Sequence, residues 1–238
     1  MNKRKWSFPL VLMGVLFILS SGCKKDNNSV NSNSTNNKVP PLDSVSDIDG
    51  NFYHIITIGT QVWMVENLKT TRFNDSTSIK RVDSNTEWLN LYENPGYCWY
   101  NHDANTYKNV YGAIYNSYAI KNGKLAPAGW HVPSTSDWLL LRSYLGDSVA
   151  GSKMKEKGTA HWSFPNYATN ESGFTALPGG DCFPDGTCWG IGVFTFFWSS
   201  TVTSYSMLGI SLRCDGPGIG LNQISDGNGF YVRCIKDI

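Results

Sequence analysis

The sequence predicts an α+β domain of short antiparallel strands, one or two helices and long ordered loops. Three stretches carry that reading. Asp47–Leu68, "DIDGNFYHIITIGTQVWMVENL", alternates like a hairpin; Gly129–Leu141, "GWHVPSTSDWLLL", reads as a helix start; and the C-terminal third holds short aromatic and β-branched runs separated by glycines.

The elements follow in chain order. Lys3, Arg4 and Lys5 precede the apolar run Leu10–Leu19, the form of an export signal and too short for the roughly 20 residues of a spanning helix. The run leads into "SSGC", so residues 1–22 are expected to be a signal peptide and Cys23 a lipidated residue, with Ser20 standing where a lipobox prefers Leu. Such a lipid anchors a chain to a membrane without spanning it. Lys24 after the cysteine points to the outer membrane, with the surface-exposed side left open. Residues 23–42 are Asn/Ser-rich without periodicity and read as a flexible tether, which leaves residues 43–238 as one domain.

Within that domain Asp49-Gly50 is a turn signal, and Phe52, His54, Ile56 and Ile58 fall on one face at period two. The turn resembles the start of a calcium loop, but position twelve is Ile58, not a glutamate, so a turn is expected and no metal. In "YGAIYNSYAI" Tyr111, Tyr115 and Tyr118 have the spacing of one helical face. In "GWHVPSTSDWLLL" Ser134 and Asp137 form a capping box, Val132 and Trp138 have the spacing of a hydrophobic staple, and Leu141 and Leu145 continue the stripe up to Gly146. His131, within that device, is expected to be buried. The runs "GFTALPGG", "VFTFFWSSTV", "GISLRCDG" and "GNGFYVRCIKD" read as strands, with "FTFFWSS" mostly core.

Composition narrows the function. A net charge of +1 and the lack of a basic face give no argument for nucleic acid. No HExxH, GxSxG or P-loop is present, "GPGIG" at Gly216–Gly220 lacks a βαβ context, and the four histidines lie in different elements. No catalytic residue, cofactor or metal set is therefore legible. Six cysteines less Cys23 leave five, an odd number. The turn "CFPDGTC" brings Cys182 and Cys188 together, the first expected disulfide.

Several blocks, among them "YCWYNHDANTYKNVYGAIYNSYAI", "GKLAPAGWHVPSTSDWLLL", "NESGFTALPGG", "FWSST" and "GFYVRCIKD", resemble in order the signatures of the FISUMP family, the Fibrobacter succinogenes major paralogous domain. The resemblance runs from about residue 45 to the C-terminus and implies an exported lipoprotein whose biochemical role the family leaves unassigned. "GWHVPSTSDWLLL" also resembles the helix start of formylglycine-generating enzymes, which implies a C-type lectin-like fold. That fold commonly ties the start of the domain to its last strand, which makes Cys98–Cys234 the second expected pair and Cys214–Cys234 its rival. The calcium triplets of sugar-binding lectins are not matched by "ENP" at Glu93–Pro95 or by "WYNHD" at Trp99–Asp103, and the copper-binding cysteine spacing of the formylglycine enzymes is not matched by Cys182 and Cys188.

The expectation is a lipid-anchored, non-catalytic binding or adhesion module on the cell envelope, with carbohydrate the first ligand class. The candidate surface is Gly180–Asp226, with Asp181, Asp185, Trp189, Asp215, Asn222 and Asp226 as ligand-binding residues and Trp189 as the exposed aromatic. Phe196, Phe197, Trp198 and Tyr205 lie in the same stretch. A structural or protein-docking envelope component, and an enzyme of the formylglycine-generating type, are the alternatives. The partners expected are the membrane and a glycan or envelope protein.

Overall fold

The computed structural model describes residues 43–203 and 206–238. The expected signal peptide, Cys23, the tether and Tyr205 lie outside the described residues. The first half of the domain runs β1 (Ser44–Ser46), β2 (Phe52–Ile58), β3 (Gln61–Met64), β4 (Lys80–Arg81), α1 (Asn85–Leu89), β5 (Gly96–Cys98), α2 (Ala104–Tyr111), β6 (Ile114–Asn116), α3 (Ser117–Lys121) and β7 (Trp130–His131). The second half runs α4 (Thr135–Leu145), α5 (Ala150–Met154), β8 (Gly179–Cys182), β9 (Cys188–Ile191), β10 (Phe194–Val202), β11 (Met207–Arg213), β12 (Gly220–Ile224), β13 (Gly229–Phe230) and β14 (Ile235–Lys236). One sheet has the order β1-β2-β3-β14-β7, and the other β12-β11-β10-β8-β13-β6-β5-β4 with β9 on β8. The architecture is α+β with mostly antiparallel pairing; β4–β5 and β8–β10 are parallel.

The first hairpin forms as its turn chemistry dictates. Asp47 Oδ1 accepts the amides of Asp49 (3.0 Å) and Asn51 (2.9 Å), closing the turn, and β2 pairs with β3 in the register Ile58↔Gln61. The expected alternation is corrected. Tyr53 is fully buried, whereas His54 is exposed and pairs with Glu66 at 2.6 Å. Tyr53 turns inward because its hydroxyl donates to Asp47 Oδ2 and accepts the Lys69 amide at 3.0 Å, satisfying a buried phenol and a buried carboxylate together.

The tyrosine spacing does not make one helix. Helix α2 stops at Tyr111, Tyr115 lies in β6 and Tyr118 in α3. Asn67 Nδ2 donates to the Tyr111 carbonyl at 2.8 Å, and Gly112 leaves the helix at φ 81°, where a Cβ would lie 2.9 Å from Asn67 Cβ. The strand expected over "GFTALPGG" is likewise reduced to its end, since β8 begins only at Gly179, after Pro178.

Helix α4 forms as its sequence device specifies. Ser134 Oγ accepts the Asp137 amide at 3.3 Å, and Asp137 Oδ2 accepts the Ser134 amide at 2.8 Å. Val132, Trp138, Leu141 and Leu145 are buried, and Gly146 ends the helix at φ 94°. Trp138 packs against Trp63 (centroids 4.7 Å apart), Phe197 (5.6 Å) and Phe174 (6.1 Å). A second cluster gathers Tyr53, Tyr115, Trp198, Phe230, Val232 and Cys234. In "FTFFWSS" Phe194, Phe197 and Trp198 are buried and Phe196 is half-buried, as expected of a core strand.

His131 is not buried as expected. Its side chain is 43 % exposed, bridging Asp237 (2.6 Å) and Asp137 (3.5 Å), because β7 lies at the edge of its sheet.

Candidate functional site

Of the six expected ligand residues one is buried, and the others lie on separate strands and turns. Asp181 is buried in β8, opposite Trp189 in β9. Asp185 serves its own turn, accepting the Thr187 amide (2.9 Å) and hydroxyl (2.6 Å), bonds that hold its carboxyl below the usual range. Asp215 pairs with Arg213 at 3.0 Å, which lowers it similarly, and Asn222 donates to Ser211 Oγ at 2.9 Å. Trp189 is 60 % exposed, as expected, and leans on Phe194 at 5.4 Å. Asp226 is the one of the six that lines the cleft described next.

That cleft, of about 280 Å³, lies between α1 and the turn after it, the start of α3, and the loop before β13. Ser84 caps α1 by accepting the Glu87 amide at 3.2 Å, which directs Trp88 inward. Trp88 Nε1 donates to the Gly227 carbonyl at 3.1 Å and fastens α1 to the 225–228 turn. Gly229 is required there, since a Cβ would approach the Trp88 ring to 2.7 Å. Ser117 Oγ donates to the Asp226 carbonyl at 3.0 Å, and Lys121 Nζ meets Asp226 Oδ1 at 2.7 Å. The rim carries Tyr92, Glu93 and Tyr118. Tyr92 is 75 % exposed and sits at φ 49°, a left-handed backbone that non-glycine residues seldom adopt and that tends to mark functional loops. The turn is braced below it. Asn94 donates through its amide (3.0 Å) and Nδ2 (2.9 Å) to the Leu91 carbonyl, and Asn116 Nδ2 donates to the Asn94 carbonyl at 2.8 Å. Desolvation and the nearby Asp226 and Glu93 carboxylates push the Tyr118 phenol up. On the far side of Leu91 a second cleft of about 510 Å³ is lined by Phe73, Lys80, Asn90, Pro95 and Asn122 among others.

Chemically the cleft offers the Trp88, Tyr92 and Tyr118 rings and the Glu93 and Asp226 carboxylates, the latter paired with Lys121. None of the four histidines lines it. Three of them meet a carboxylate of their own: His54–Glu66, His131–Asp237 and His161–Glu156, while His102 meets Asn85 Oδ1 at 2.9 Å. Tyr92, Glu93 and Tyr118 were missed in the sequence because they lie far from the 180–226 stretch. The signal available for Tyr92 was its place in "NLYENPG", a polar turn holding one large aromatic.

The cysteines correct one expectation and bear out another. Cys182 and Cys188 form the disulfide expected of their turn. Cys98 and Cys234 are not bonded: each is a buried free thiol, as is Cys214. Cys234 packs with Tyr53 and Tyr115 in one cluster, whereas Cys98 faces the other, with its Sγ 3.9 Å from Cys182 Sγ. The rival Cys214–Cys234 bond is not formed either. Burial pushes the Cys98 and Cys234 thiols well above the ordinary range.

No curated protein and no solved structure matches this chain. The family model described as the Fibrobacter succinogenes major domain matches residues 56–236, from the second half of β2 to the last strand. By that match the chain belongs to the Fibrobacter succinogenes major domain family.

Proposed function

We propose that this chain is a non-catalytic binding module of the cell envelope, held at the outer membrane by a lipid on Cys23, with carbohydrate as its ligand class and the Tyr92–Asp226 cleft as its site. A relation to the C-type lectin-like fold belongs to the same proposal, motivated by the capped α4 start. The observation that carries the reading is Tyr92, an exposed aromatic ring held in a left-handed turn at the rim of a cleft that also presents Tyr118, Glu93 and Asp226. Pyranose rings have an apolar face that stacks on such aromatics and hydroxyls that donate to carboxylates, and a preformed concave site lowers the entropy cost of binding them. Asp226, paired with Lys121 at 2.7 Å, is held in place as a hydrogen-bond acceptor. The lipid anchor suffices for attachment, and no helix among the described residues is long and apolar enough to cross a membrane.

The test is a glycan array probed with the full chain and with its Tyr92→Ala variant. Binding to a set of glycans that the variant loses supports the reading. An array without binders, together with a stable protein complex recovered from the envelope, would instead establish the docking alternative.

A further inference from the structure

We propose that Cys98, Cys182 and Cys188 form a redox-gated site for a soft, thiophilic metal ion of the Zn²⁺ or Cu⁺ class, closed while Cys182 and Cys188 are joined and open when they are reduced. This goes beyond the glycan-binding reading and does not depend on it.

The three sulfurs come from separate parts of the chain, β5, β8 and β9, yet all lie within 4.8 Å of one another. Cys182 and Cys188 are bonded to each other, and the Cys98–Cys182 edge already has the spacing of a metal thiolate. A metal–sulfur bond of about 2.3 Å places neighbouring sulfurs about 3.8 Å apart in a tetrahedral site and about 4.0 Å apart in a trigonal one. The Cys98 Sγ–Cys182 Sγ separation is 3.9 Å, with no bond between them. Reduction breaks the Cys182–Cys188 bond and frees both sulfurs to move to that spacing around a common ion. Cys98 and Cys182 are fully buried and Cys188 is half-buried. Two sulfurs are thereby fixed by the core, and the third stands on the solvent side, where a metal enters. Thiolates select soft cations over Mg²⁺ or Ca²⁺.

The chemistry balances in two steps. A dithiol reductant gives two electrons and two protons to the Cys182–Cys188 bond, which becomes two thiols while the reductant becomes its own disulfide. The metal then replaces three protons, one from each thiol, and releases them to solvent. An oxidised dithiol takes the two electrons of the Cys182 and Cys188 thiolates and two protons from solvent to become the dithiol, the Cys182–Cys188 bond re-forms, the metal leaves and Cys98 takes up one proton, so the disulfide and the metal are mutually exclusive occupants of the same sulfurs. Cys214 and Cys234, also buried and free, lie outside the triangle and serve as internal controls.

The experiment reduces the full chain with a phosphine, removes the phosphine, and titrates Zn²⁺, Cu⁺ and, as a spectroscopic probe, Cd²⁺ under anaerobic conditions. The readouts are the thiolate-to-metal ultraviolet band and peptide-mapped alkylation of each cysteine. The expected result is one equivalent bound by the reduced chain, joint protection of Cys98, Cys182 and Cys188, no change at Cys214 or Cys234, and release of the metal on adding an oxidised dithiol. Whichever of Zn²⁺ and Cu⁺ is retained in competition identifies the metal. Cys98→Ser should reduce the band by about one third and weaken binding at least tenfold. Alkylation mapping of the unmutated chain decides the matter if that variant does not fold. Absence of a band, or protection of fewer than these three cysteines, would overturn the proposal.

Discussion

Asp181→Asn should make the protein more stable at neutral pH. Asp181 is 5 % exposed, and its Oδ1 has no hydrogen-bond partner among the described residues. Burial raises its carboxyl from 3.8 to about 6. The folded state therefore holds the proton more tightly than the unfolded chain does. The stabilisation from that proton is complete below the unfolded value, declines as pH rises, and is gone above the folded one. About two units of displacement correspond to about 3 kcal/mol, and partial water access brings the expected effect to roughly 2–3 kcal/mol between pH 4 and pH 7.5. Asparagine keeps a neutral side chain of the same shape at both pH values. Urea unfolding of both proteins across that window isolates the group, because carboxylates with the opposite displacement, such as Asp49, lowered by the Thr71 amide and by Arg72, contribute equally to both. The variant's advantage should grow by roughly 2–3 kcal/mol from pH 4 to pH 7.5. A stability difference that stays flat with pH would refute the argument.

Other perturbations test the frame around the site. Tyr53→Phe removes the donor to Asp47 and the acceptor for the Lys69 amide, and should lower stability by about 1–3 kcal/mol in urea titration. Asp137→Ala breaks the capping box of α4 and should cost about 1 kcal/mol, read as a lower melting temperature. Gly151→Ala, favourable by about 1 kcal/mol on helix propensity alone, should be net destabilising by about 1–3 kcal/mol. Its Cβ would lie 2.1 Å from the Gly218 carbonyl, so the loop that accepts the Ser152 amide and Lys155 Nζ must move. A raised urea midpoint would contradict that sign.

What the sequence made legible was local. The Ser134–Asp137 box, the Leu141–Leu145 stripe and the Cys182–Cys188 turn depend on residues a few positions apart, and each formed as read. What it hid depended on distant partners. Tyr111 ends a helix because Asn67, 44 residues earlier, captures its carbonyl. His131 stays half-exposed because its strand lies at a sheet edge and Asp237, 106 residues later, reaches it. The cleft joins Tyr92 to Asp226 through a Trp88–Gly227 bond that spans 139 residues. Cys98 could be matched to Cys234 only by resemblance, and the two thiols belong to different core clusters.

The central claim, that the Tyr92–Asp226 cleft takes a sugar, is tested most directly by measuring the Kd of the strongest array glycan for the full chain and for Tyr92→Ala. Tyr92 is 75 % exposed, so the variant should keep its urea midpoint. Loss of one stacking ring should weaken binding at least about tenfold, or about 1.4 kcal/mol. Equal affinity in the two proteins would place the sugar elsewhere and contradict the account.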